Sequence, residues 1–177
     1  MAGDHFEDQI NWINGLTGDD RAKAGSVVAW QCVATTINEL VKQFNDISFG
    51  TTEPHFKHNR EVQLKKVIIG MIYELNDCFN QWTAELRKGG LFDDKLKGLK
   101  KAFEDSCAKL GLSQLKEIRN GVAFHFKESL TDPDGIVELY TKIDQIPKET
   151  LSAIVIAAHE CGYAMRDKVM ESLCRTT

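Results

Sequence analysis

Between Arg21 and Phe44 the residues Val27, Trp30, Ala34, Ile37, Val41 and Phe44 follow one another at steps of three and four, the spacing that lines one side of an α-helix. A second series, Leu64, Ile68, Met71, Leu75, Phe79, Trp82 and Leu86, has the same steps and predicts another long helix from about Asn59. Prolines stand only at positions 54, 133 and 147, and no run of alternating apolar and β-branched residues is long enough for a sheet. The chain is therefore expected to be all-α.

The remaining elements follow from punctuation. The "RKGG" at 87–90 ends the second helix, and the Asp93-Asp94 pair can cap a shorter one carrying Leu96, Leu99, Phe103 and Cys107. Gly111 breaks the chain, and Ser113 can cap the next helix. "TDPDG" at 131–135 reads as a turn ahead of an amphipathic piece through Ile143. Pro147 suits the first turn of a final helix with Leu151, Ile154, Ala158, Met165 and Val169. "SFGTTEPHFKHN" at 48–59 is expected to be the longest loop. The sum is a single-domain helical bundle of about five or six helices over 1–177, with no repeat or linker.

With 42% hydrophobic and 27% charged residues, the 177-residue chain has the balance of a globular domain able to bury a core. No apolar run approaches the roughly 20 residues that span a bilayer. The stretch "MAGDHFEDQI" is acidic where a secretory leader is basic and then apolar, so a cytoplasmic protein without membrane contact is expected. Five scattered cysteines, with no Cys-x-x-Cys pair, predict reduced thiols rather than disulfides or a zinc knuckle. A net charge of -4 argues against indiscriminate nucleic-acid binding but leaves room for a local basic site.

The most informative segment is "LKEIRNGVAFHFKE" at 115–128. On a helical projection Leu115, Ile118, Val122 and Phe126 form the buried stripe, while Arg119 and His125 border it on opposite flanks. A charged side chain beside a buried stripe is costly in a core and comfortable in a cleft. Helical side chains lean toward the N-terminus, so His125 lies over Gly121, where the missing side chain leaves space for a ligand. Phe124 is apolar on the opposite side and offers a surface for a second copy of this helix. In an unbroken helix Arg119 and His125 are about 120° apart and about 9 Å apart along the axis, so a bend or a site shared across a dimer is needed to bring them together.

"IRNGVAFHF" resembles the signature of the HEPN superfamily: Arg, a polar residue that is often Asn, and His after four to six intervening positions, in a helix of an all-α bundle. Arg119, Asn120 and His125 match it with five intervening residues. The resemblance covers about ten residues, with the two long helices ahead of the motif as wider support. It implies a metal-independent endoribonuclease of toxin or anti-phage type, acting as a homodimer through the motif helix. It implies His125 as base, Arg119 as the cation for the phosphate and Asn120 as orienting group, a division that suits the chemistry of each side chain. An antitoxin or a nucleotidyltransferase-like protein is the partner it allows. It also allows a non-catalytic helical module that binds a partner protein or nucleotide.

Around the motif, Lys116, Lys127, Lys100 and Lys101 are candidate RNA-binding residues, the last two in a basic patch with Lys95 and Lys97 that otherwise reads as a solvated face. "HFKHNRE" carries His55, His58 and Glu61 at a spacing that would suit a metal on a helix, but Pro54 marks a loop and no further ligand stands nearby. His159, near Tyr163 and Arg166, reads as a core histidine satisfied by a hydrogen bond. No phosphate-cradling glycine loop or Ser-His-Asp set is present, and no metal or cofactor is expected.

Overall fold

The computed structural model describes residues 10–50, 54–110 and 133–174, and every regular element among them is helical. After a helical stretch at 10–15, the chain forms α1 (Gly18–Gly50), α2 (Pro54–Lys88), α3 (Asp94–Ala108), α4 (Pro133–Asp144) and α5 (Lys148–Cys174). The all-α bundle expected from the spacing of apolar residues is present.

α1 and α2 contain 33 and 35 residues, so each is about 50 Å long. They pack antiparallel. Trp82 near the end of α2 donates from Nε1 to Ser26 Oγ near the start of α1 at 2.8 Å. At the opposite end Phe44 of α1 and Leu64 of α2 are buried together. Each series of apolar residues faces inward: Trp30, Ile37 and Phe44 on α1, and Ile68, Leu75, Phe79, Trp82 and Leu86 on α2, are all buried.

α2 ends as its sequence dictates. Gly90 has φ +68°, which lets Leu91 N–H reach the Leu86 carbonyl at 2.8 Å and Gly90 N–H reach that of Arg87 at 3.1 Å. Leu91 is thereby turned back into the core beside Leu86. Two residues later Asp93 accepts from Leu96 N–H at 2.9 Å and caps α3, as expected.

α5 is the hub of the bundle, packing against α1, α2 and α3, while α4 rests chiefly on α2. Leu151, Ile154, Ala158, Cys161, Met165 and Val169 are all buried along it. Phe79 and Phe103 meet edge to face at 5.2 Å, and Trp30 meets Trp82 at 5.9 Å and Tyr163 at 5.0 Å. Beside these rings α1 and α5 approach closely. A Cβ on Gly162 would stand 2.5 Å from two atoms of the Trp30 indole.

Two expectations about loops are corrected. The segment 48–59 is not a long loop, because α1 continues to Gly50 and α2 begins at Pro54. Likewise α4 begins at Pro133, inside the stretch read as a turn. The reason is the same in both places. Proline in the first turn of a helix loses nothing by lacking an N–H, and its fixed φ already matches the helix.

α4 is fastened to α2 by Lys65. This buried side chain donates from Nζ to the carbonyl of Asp144, the last residue of α4, at 2.7 Å. Burial holds its pKa below the usual lysine value, with Lys148 acting in the same direction and Asp144 and Glu61 opposing both.

Gly162→Ala is expected to cost about 1–3 kcal/mol through overpacking against Trp30. Gly98→Ala, in open space on α3, is expected to stabilise by about 0.5–1 kcal/mol, since alanine is the better helix former. Urea unfolding of both variants checks the opposite signs. Equal effects would remove the close approach of α1 and α5 as the cause.

Candidate functional site

The motif residues Arg119, Asn120 and His125 lie outside the described residues, together with Gly121, Phe124, Lys116 and Lys127. In sequence they stand between α3 and α4. Of the lysines expected near RNA, Lys100 is turned to Glu104, and its side chain is only 13% exposed. Lys101 is exposed, as is Lys95, while Lys97 pairs with Asp94 at 2.7 Å. Lys101 is thus better placed than Lys100 to meet a phosphate.

The described residues build a cleft that the sequence reading passed over. Because α2 starts at Pro54, His58, Asn59, Val62 and Gln63 fall on one face of its first turns. Opposite them stand Val137, Tyr140, Thr141 and Asp144 of α4, and the space between is about 310 Å³. His58 Nε2 is 3.6 Å from Asp144 Oδ2 across it. Gln63 Nε2 donates to Tyr140 Oη at 3.3 Å, and Lys66 lies 5.9 Å from the centre of the Tyr140 ring. These partners are 77 residues apart in the chain for Gln63 and Tyr140, so no local spacing could have joined them.

Of the candidate ligands in "HFKHNRE", the His55 side chain lies outside those described, and the other two are engaged separately. His58 faces Asp144, whereas Glu61 pairs with Lys148 at 3.1 Å. Lys148 also lies 4.4 Å from the centre of the Phe44 ring, which ties the start of α5 to both long helices. Among the described residues no group of three or more His, Cys, Asp and Glu side chains is placed to hold a metal ion.

A larger cleft, about 590 Å³, opens between α1, α2 and α5 at the far end of the bundle. Trp82 and Leu86 line it, with Lys23, Glu85 and Lys88 among its polar residues. Its charges are largely paired, Lys88 with Glu85 at 2.7 Å and Lys23 with Asp20 at 3.8 Å. Such a mixture attracts neither sign strongly.

His159 departs from the expectation of a fully satisfied core histidine. It is hydrogen-bonded to the backbone of Ala34, yet its Nε2 is buried and meets no hydrogen-bond partner among the described residues. The Trp30 Nε1 is in the same position, and both rings pack on Tyr163. Burial lowers the His159 pKa below its ordinary value, with the Ala34 bond opposing.

Burial keeps three of the described thiols protonated. Cys32, Cys78, Cys107 and Cys161 are free thiols, and burial pushes Cys78, Cys107 and Cys161 each up to about 12. Among the described residues no helix is long and apolar enough to cross a membrane. Comparison with family models, with curated proteins and with solved structures gives no match.

The lowered pKa of His159 sets a pH dependence. The folded state favours the neutral imidazole, so the unfolded chain binds the extra proton first. The stability this contributes is present above the unfolded value of about 6.5 and is lost as pH falls through the folded value. Urea unfolding is expected to show stability falling below about pH 6.5, with a smaller fall in His159→Leu. Parallel curves for the two proteins would place the pH dependence elsewhere.

Proposed function

We propose that this chain is a metal-independent endoribonuclease of toxin or anti-phage type, working in the cytoplasm as a homodimer whose motif helices face each other. The observation that carries the reading is the set Arg119, Asn120 and His125, with five residues between the Arg and the His, in an all-α chain. RNA brings its own nucleophile, so a site for its cleavage needs a base that works near neutral pH and a cation for the phosphate, and no metal.

In the proposed reaction His125 takes the proton of the 2′-hydroxyl while the 2′-oxygen bonds to phosphorus. The bond from phosphorus to the 5′-oxygen breaks, and that oxygen takes a proton from water, whose hydroxide recovers the proton held by His125. The products are a 2′,3′-cyclic phosphate and a 5′-hydroxyl. Arg119, with its planar donor fork, neutralises the charge that gathers on the phosphate oxygens. Asn120 orients the site by hydrogen bonds. The separation of Arg119 and His125 along one helix is the reason for two copies: each supplies what the other holds too far away. Lys101, exposed on α3, and Lys116 and Lys127 beside the motif supply charge for the RNA backbone, Lys100 contributing less because Glu104 engages it.

The purified protein incubated with mixed RNA in EDTA is expected to cut it and leave cyclic phosphate ends. His125→Ala is expected to lower the rate by about a hundredfold or more, the usual weight of a positioned base. Intact RNA over a range of conditions would overturn the nuclease reading and leave a helical module that binds a partner protein or nucleotide. A protein that stays monomeric at micromolar concentration while cutting RNA would remove the shared site.

A further inference from the structure

We infer that the cleft between α2 and α4 holds one unstacked nucleotide of a single-stranded RNA. The choice of RNA over other nucleotide-bearing ligands rests on the nuclease reading above. The recognition of a nucleotide rests on the cleft itself.

The first ground is shape. A volume of about 310 Å³ lies at the small end of the range for ligand clefts, with room for a base and its sugar but not for a stacked duplex. The second is the wall chemistry. Val62 and the half-buried Tyr140 give an apolar surface on which a base can lie, as bases do on aromatic side chains in single-strand binders. On either side stand groups suited to the edge of a base. The Asn59 side chain is exposed and has no hydrogen-bond partner among the described residues. Gln63 spends its N–H on Tyr140 and keeps its carbonyl oxygen as an acceptor. Thr141 donates to the Val137 carbonyl at 2.7 Å and keeps its oxygen lone pairs.

The third ground is charge. The Asp144 carboxylate faces His58, and its backbone carbonyl is held by Lys65. Lys66 follows Val62 and Gln63 by one helical turn and lies at the Tyr140 ring, where it can meet a phosphate next to a base stacked on that ring. The charged group of the cleft lining is Asp144, engaged by His58, and Lys148 pairs with Glu61, so a phosphate is met at the rim, by Lys66.

The chain also supplies a test that spares the fold. Val137 is 66% exposed at the cleft and Ile156 is 59% exposed on α5, so a carboxylate at either costs little packing. Val137→Glu sets a negative charge in the cleft, whereas Ile156→Glu makes the same change of net charge elsewhere. A fluorescein-labelled oligoribonucleotide with 2′-O-methyl groups, which lacks the nucleophile and is not cut, measures binding by anisotropy.

Val137→Glu and Tyr140→Ala are each expected to weaken binding by about tenfold or more, and Tyr140→Phe and Ile156→Glu by no more than about twofold, the loss of one stacked base being worth that much. Equal binding by Val137→Glu and Ile156→Glu overturns the inference, as does absence of binding by the unmodified protein or a preference for duplex RNA. The two readings separate cleanly. Cleavage of ordinary RNA with unaltered binding by the cleft variants removes the nucleotide site and keeps the nuclease. Cleft-dependent binding by a protein that never cuts removes the nuclease and keeps the site.

Discussion

The seam between α1 and α5 closes only because position 162 has no side chain. The Trp30 indole occupies the space a Cβ would take, which lets two helices meet at the depth of a ring lying on backbone. From that contact the aromatic packing extends outward, through Trp82 to Phe79 and on to Phe103. Tightness has a cost at the same place. Trp30 Nε1 and His159 Nε2 are both buried without hydrogen-bond partners among the described residues, a penalty the surrounding apolar burial must outweigh.

The α2/α4 region is arranged on the opposite principle. There buried Leu139 and Ile143 join the core, and polar contacts between segments far apart in the chain are added around them: Lys65 to the end of α4, His58 to Asp144, Glu61 to Lys148. His58 and Asp144 remain substantially exposed, so their pairing is weak and their position open to a ligand. The bundle thus has a tight aromatic seam that fixes its shape and an open cleft that leaves polar side chains available. This division is what makes the α2/α4 side the better place to look for recognition.

The helices were legible wherever an apolar series ran unbroken. Trp30 and Ile37 of α1 and Ile68, Leu75 and Phe79 of α2 occupy the core as their spacing requires, and Asp93 caps α3 as its position requires. Pro54 and Pro133 suit a loop or turn and the first turn of a helix equally well by sequence, and in the structure each opens a helix. The helix start matters for function, because only a helix from Pro54 gives His58, Asn59 and Gln63 a common face. The partners from α4 could not be read at all, since pairing across the bundle leaves no trace in local spacing. The Arg119, Asn120 and His125 motif was legible as a pattern of residue types, which carries chemistry but not the distance between two side chains.

α5 packs on three other helices and is made after all of them. Until it emerges, Phe79 and Phe103 lack part of their cover, and the indole of Trp30 has no backbone to lie on. The earlier helices share contacts of their own, Trp30 with Trp82 and Phe44 with Leu64, but lack the cover that α5 gives them. A fragment that lacks α5 would therefore expose apolar sides of α1, α2 and α3 together.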